Sequence, residues 1–308
     1  NDWGSIQVSL MGEYIEKRWS AKDLENELFG LIKKYNAIRK TNLIIYAGAI
    51  GKPVPDIALC MDDYYILSDM LREVTSNKLD FYIETPGGSG ETAEEIVRCL
   101  RSRFDDVTFV VSGQAKSAGT LLVLSGNEII MTESGSLGPI DAQVQIGRSR
   151  VSAYDYVEWV KEKQIEAQKN KKLNPFDATM VAQISPGELS GVEHSLKYAE
   201  DLAVDWLTNY KFKNWDFTET RKIPVTEKKK RNTAKKIALA LTNHGKWRTH
   251  GRSIKIGDLE EIGLKIIRAD DVPGLADIIY RIQTVIRLLF STTSIYKIFA
   301  TEKEKIVK

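Results

Sequence analysis

The chain has 308 residues, of which 43% are hydrophobic and 28% charged, a composition that excludes an intrinsically disordered or fibrous protein and suits one large domain or two moderate ones. Its 44 basic and 42 acidic side chains leave a formal charge of +2, which gives no electrostatic reason to expect nucleic acid or an anionic membrane as partner. The two cysteines, Cys60 and Cys99, fall in segments that read as helical or buried, so free thiols in a reducing, cytoplasmic compartment are expected rather than a disulfide.

Along the chain, residues 5–40 place Leu24, Leu28, Leu31 and Ile32 at helical spacing, which predicts an N-terminal helical arm (1–40) with a solvated face, available for oligomerisation. The opening residues carry no basic stretch followed by an apolar one, so no secretory signal is expected. A strand at Leu43–Tyr46, a helix at Tyr64–Val74, a strand at Leu79–Glu84, a helix at Glu91–Ser102 and a strand at Val107–Val111 follow. A helix from Ser117 and a strand at Glu128–Thr132 complete the series. Strands alternating with helices predict an α/β fold with right-handed crossovers and a mainly parallel sheet, whose chemistry gathers at the carboxyl ends of the strands.

Residues 150–240 read as helical and charged, with breaks at Asn174-Pro175 and Ile223-Pro224. The basic run Lys228–Arg231 reads as a solvated loop or helix start, with a polyanion-binding patch as the sharper alternative. The apolar stretch Val272–Ala300 is interrupted by Asp277, Arg281, Gln283 and Arg287, which argues for an amphipathic helical segment packed on the domain and against a membrane span.

Three turns in the parallel series carry the chemistry. In Thr85-Pro86-Gly87-Gly88-Ser89-Gly90, between a strand and a helix, paired glycines can adopt backbone angles closed to other residues and aim N–H groups into open space, as a developing oxyanion needs. A plain tight turn is the bland alternative. A phosphate loop lacks its Lys and Ser/Thr here. One unit later, Gly113-Gln114-Ala115-Lys116-Ser117-Ala118-Gly119-Thr120 frames a serine with small residues at a helix start. There the hydroxyl is exposed and the Ala118 N–H and helix dipole stabilise negative charge, although a serine at such a place also serves simply as a helix cap. Lys116 is expected to point outward. The third turn, Gly135-Ser136-Leu137-Gly138-Pro139-Ile140-Asp141-Ala142-Gln143, adds the carboxylate of Asp141 to the same sheet edge.

In order and content these three segments resemble the ClpP/crotonase superfamily, and within it the serine dehydrogenase proteinase group, more distantly related to signal peptide peptidase. The later stretch Leu241-Thr242-Asn243-His244-Gly245-Lys246-Trp247-Arg248-Thr249-His250, with Ile262-Gly263-Leu264 after it, sharpens the likeness. The resemblance implies a ClpP/crotonase-like core of repeated ββα/βαβ units over residues 41–220, and a helical C-terminal extension over 221–308. It further implies a serine endopeptidase that needs neither ATP, cofactor nor metal, acts on peptides or unfolded segments, and assembles as a homo-oligomer.

The resemblance also implies a triad in the order Ser, Asp, His, matched here by Ser117, Asp141 and His250, with Gly87, Gly88 and Ala118 supplying oxyanion-hole N–H groups. Gly251-Arg252-Ser253 departs from the group's pattern after the histidine, and no histidine lies between Ser117 and His194, so a triad in ClpP order is not available. The group's N-terminal membrane helix is not seen either. His244 is a rival base, and His194, in a polar helical stretch, is expected to serve solvation or packing. A Ser-Lys dyad would draw on Lys161, Lys163 or Lys169, which otherwise read as a solvated helix face. Two non-proteolytic alternatives remain, a crotonase-like acyl-CoA site and a scaffold using the Lys228–Arg231 run.

Overall fold

The computed structural model describes residues 9–146, 149–249 and 251–308. The N-terminal stretch forms two helices, α1 (Leu10–Glu16) and α2 (Ala21–Arg39), rather than one. Arg18 takes a positive φ of 51°, and Ser20 restarts the chain with a reciprocal capping box to Asp23. There follow β1 (Asn42–Gly48), α3 (Met61–Met70), β2 (Lys78–Glu84), α4 (Gly90–Arg103), β3 (Asp106–Val111) and a two-residue β4 (Gln114–Ala115). Next come α5 (Ala118–Leu124), β5 (Glu128–Met131), β6 (Ser136–Leu137) and the hairpin β7 (Gln143–Ile146) and β8 (Ser149–Ser152).

A helical stretch of α6 (Ala153–Asn170), α7 (Pro175–Val181) and α8 (Pro186–Trp206) continues into one π-helical turn, Leu207–Lys211. Asn174 caps α7 and Pro175 occupies its first turn, as the break at that dipeptide predicts. After α9 (Glu227–Thr242), α10 (His244–Trp247) and α11 (Ile256–Glu261), the chain ends with β9 (Ile267–Arg268), α12 (Leu275–Thr292), β10 (Lys297–Ala300) and β11 (Lys305–Val307).

The main sheet has seven strands in the order β11-β10-β1-β2-β3-β5-β9. β1, β2, β3, β5 and β9 run parallel, while β10 is antiparallel to both β1 and β11. The central strands are buried almost throughout, as expected for near-continuous apolar runs covered on both faces. One face packs Tyr82, Val110 and Ile130 against α2 and α12, and the other packs Phe81, Phe109 and Ile129 against α3, α4 and α5. The N-terminal helix α2 is therefore a structural layer of the sheet.

The apolar stretch at 272–300 is α12 followed by strand β10, so only its first part is helical. Among the described residues, no helix is long and apolar enough to cross a membrane. Cys60 and Cys99 are free thiols. The basic run at Lys228–Arg231 lies in α9 but does not form one solvated patch. Lys230 is buried and donates to the Lys213 carbonyl at 3.1 Å, and Arg231 pairs with Asp205 at 2.9 Å.

Candidate active site

Each parallel strand ends at one rim, and two of the turns that leave it touch. A second small layer runs across that rim through the bridge Thr85↔Ala115, the β4–β6 pair Ala115↔Leu137, and the bridge Leu137↔Ile254. Gly87 packs against Lys116 and Ser117 so closely that a Cβ on it would sit 2.8 Å from the Lys116 carbonyl oxygen. Gly88, with φ at 153°, is bracketed by Leu59, whose N–H donates to the Gly87 carbonyl at 2.7 Å and whose carbonyl accepts from the Ser89 N–H at 3.1 Å. These contacts leave the Gly88 N–H with no partner among the described residues, whereas the Gly87 N–H donates to Thr85 Oγ1 at 3.2 Å.

Ser117 stands just before α5 with φ 51° and ψ −117°, a conformation rare for a side-chain-bearing residue and typical of a nucleophile on a sharp strand-to-helix turn. Its side chain makes no capping hydrogen bond to the helix, so the simple cap reading does not describe it. The Ala118 N–H, first in the helix, has no partner among the described residues. Ser117, Ala118, Gly87, Gly88 and Asp141 all line one cavity of about 720 Å³. Leu59, Leu121, Ile140 and Ala142 give its walls an apolar character, and Ser195, Tyr198 and Ala199 of α8 close another side. The α8 contribution was missed from sequence. Its signal was the spacing of Ser195, Tyr198 and Ala199, which puts them on one face of the helix.

Asp141 is buried and accepts from Gln143 Nε2 at 2.5 Å and Ser152 Oγ at 2.7 Å, so the hairpin β7–β8 and the start of α6 fix its carboxylate. His250 lies outside the described residues. His244 is the first residue of α10, and His194 is exposed on α8 and does not line the cavity. None of the three candidate lysines on α6 lines it either. Lys161 pairs with Glu158 at 3.0 Å. Lys163 pairs with Asp177 at 2.7 Å and Glu166 at 3.1 Å, and hydrogen bonds to both carboxylates raise its pKa, away from what a neutral base requires. Lys169 is exposed.

Lys116 corrects an expectation. Its side chain turns inward, 5% exposed, and its ammonium donates to the Leu137 carbonyl at 2.9 Å, the Arg252 carbonyl at 3.0 Å and Ser253 Oγ at 3.0 Å. Burial, with repulsion from Lys255 added, pushes its pKa down to about 8. Among the described residues all three of its hydrogen bonds run from the amine to these oxygens, and none reaches Ser117. Glu84, at the end of β2, was not singled out from sequence. It is fully buried beside Arg287, its Oε2 finds no partner among the described residues, and burial outweighs the guanidinium to push its pKa up to about 7.

Among the described residues, no group of His, Cys, Asp and Glu side chains is disposed to hold a metal ion.

Comparison with known proteins gives the context for this geometry. Residues 31–185 match a family described as ClpP-like SDH-type serine proteinase. Two uncharacterized proteins of Methanocaldococcus jannaschii are similar to the chain. One is 33% identical over 97 residues, 32% of this chain and 34% of that protein, and the other 26% identical over 218 residues, 70% of this chain and 61% of that protein. The chain thus spans less than two thirds of the length of either. Two solved structures of a membrane-bound stomatin-specific protease, one in complex with a substrate peptide, align at a TM-score of 0.27. Their identities are 17% and 19%, over 38% and 33% of this chain and 61% and 51% of theirs. With the family match running from α2 through the diglycine turn, Ser117 and Asp141 to the end of α7, the chain belongs to the ClpP-like SDH-type serine proteinase family.

Proposed function

We propose that the protein is an ATP-independent serine endopeptidase that hydrolyses peptides or unfolded segments through Ser117. The observation that carries this reading is the uncapped Ser117 at a φ of 51°, opening into the same cavity as the unengaged N–H groups of Gly88 and Ala118. In this reading the Ser117 hydroxyl attacks the scissile carbonyl while His250 takes its proton, and the oxyanion is held by Gly88 and Ala118. Loss of one such donor costs about 3 kcal/mol in the transition state. The imidazolium then protonates the leaving amine, and water, activated by the same imidazole, releases the acyl group.

Asp141 has the role of orienting the imidazole. Its support is that Asp141 is a buried carboxylate, held by Gln143 and Ser152, on the same cavity as Ser117. Gly87 contributes by close packing, since its own N–H is engaged with Thr85. A Ser-Lys dyad has less support, because Lys161 and Lys163 are held in ion pairs away from the cavity. Homo-oligomeric assembly belongs to the same proposal, supported by the apolar side chains of Ile165, Phe176 and Met180 exposed on α6 and α7.

Hydrolysis of an unfolded protein substrate and labelling by a fluorophosphonate probe test the reading together. Both are expected in the wild type and absent in Ser117→Ala with its fold intact. Full activity in that variant would refute the assignment.

A further inference from the structure

The buried Lys116 is used by no step of the mechanism above, yet it is the residue next to the nucleophile and its three acceptors come from two distant parts of the chain. Its side chain passes β6 with so little clearance that a Cβ on Gly138 would lie 2.6 Å from Lys116 Cδ. Beyond β6 it reaches the Arg252 carbonyl and Ser253 Oγ, 136 and 137 residues away in sequence. The neighbouring residue Ile254 exchanges both backbone hydrogen bonds with Leu137, at 2.9 and 3.0 Å. Lys116 therefore binds both Leu137, next to β4, and the segment on Leu137's far side. Arg252 and Ser253 follow His250 in sequence by two and three residues.

We infer that Lys116 is a positioning residue of the hydrolysis, whose ammonium fastens the C-terminal segment Arg252–Ile254 to the back of the Ser117 turn so that both enter the reaction as one rigid frame. The inference rests on the serine-peptidase reading given above. A donor serves better here than an apolar side chain because two main-chain carbonyls and a hydroxyl converge on one point, and without it the Arg252 carbonyl and Ser253 Oγ lose their link to the residue beside Ser117. Among the described residues no carboxylate is a hydrogen-bond partner of the ammonium, so these three acceptors set its geometry.

Lys116→Met keeps the stem and removes the donors. It should lower kcat and the rate of fluorophosphonate labelling of Ser117 by about 10²-fold, the effect of misplacing catalytic groups by an ångström, with KM within about twofold. Lys116→Arg, which restores a cationic donor, should recover at least about tenfold of that loss. Hydrogen exchange of the Leu137 and Ile254 amides should quicken in Lys116→Met while the central strands stay protected. If Lys116→Met fails to fold, Ser253→Ala removes one acceptor without touching the backbone and should lower kcat by about threefold to tenfold, again at constant KM.

A kcat within about threefold of wild type in Lys116→Met, or unchanged exchange at Ile254, overturns the inference. So does a loss that arginine does not rescue and that falls equally on KM. Failure of the peptidase reading is recognised separately, by hydrolysis that survives Ser117→Ala. In that case the exchange measurement still decides whether Lys116 is the fastener.

Discussion

A Cβ on Gly87 would lie 2.7 Å from the Cβ of Ser117, closer than real side-chain contacts allow. The diglycine turn and the serine turn are thus in direct contact, and the absence of a side chain is what lets the open Gly88 and Ala118 N–H groups share one cavity with the hydroxyl.

Gly88→Ala should be the more damaging substitution of the pair. Its Cβ would be 2.3 Å from the Leu59 carbonyl oxygen, a backbone atom that cannot rotate away, at a φ of 153° that alanine resists. The expected outcome is a fall in kcat of about 10²-fold or more from the displaced donor, and a stability loss of about 1–3 kcal/mol. Steady-state kinetics and urea unfolding of the same variant check the two effects.

The identity of the base separates cleanly by substitution. His250→Ala should lower kcat/KM by about 10³-fold or more, whereas His244→Ala should stay within about tenfold. Lys161→Ala, Lys163→Ala and Lys169→Ala should each leave turnover within about twofold, since the first two lysines are satisfied by carboxylates on the helical face and the third is exposed. A collapse of activity in any one of these lysine variants would transfer the role of base to it.

Glu84 makes stability depend on pH in a defined direction. Its pKa is raised from 4.5 to about 7, so the folded state holds a proton that the unfolded chain has released. Unfolding free energy should fall as pH rises from about 4.5 to about 7, and be level above that as far as this group is concerned. The size of the effect is about 3 kcal/mol at most. Glu84→Gln should flatten the dependence in urea unfolding at pH 5 and pH 8, and a slope unchanged by the substitution would contradict it.

The buried Lys297–Asp63 pair should behave differently. Lys297 and Asp63 are both fully buried and paired at 2.6 Å, and Lys297 also donates to the Ala58 carbonyl at 2.9 Å, beside the Leu59 that brackets Gly88. Lys297→Met should cost about 3–5 kcal/mol because it strands a carboxylate, and adding Asp63→Asn should return part of that. A double-mutant cycle by chemical denaturation measures the coupling.

Local signals made the parallel series legible. The runs at Leu43–Tyr46, Leu79–Glu84 and Val107–Val111 are strands at nearly the expected bounds, because a strand buried on both faces announces itself as a short apolar run between turns. The end of Val272–Ala300 was misread for the same reason. Lys297–Ala300 continues the apolar character of α12, and only the antiparallel pairing of β10 with β1 and β11 makes it a strand.

By itself, then, the sequence determined the order of βαβ units, the diglycine turn and the small-residue frame around Ser117, all properties of neighbouring residues. The tertiary structure decided what those turns face: Leu59 against Gly88, Gln143 and Ser152 on Asp141, Lys116 turned inward onto Arg252 and Ser253, and Glu84 buried beside Arg287. Several of these contacts join residues more than 100 positions apart. No periodicity or local propensity encodes such pairs, because their energy arises only once the packed sheet and helices have removed water and left each buried donor needing an acceptor.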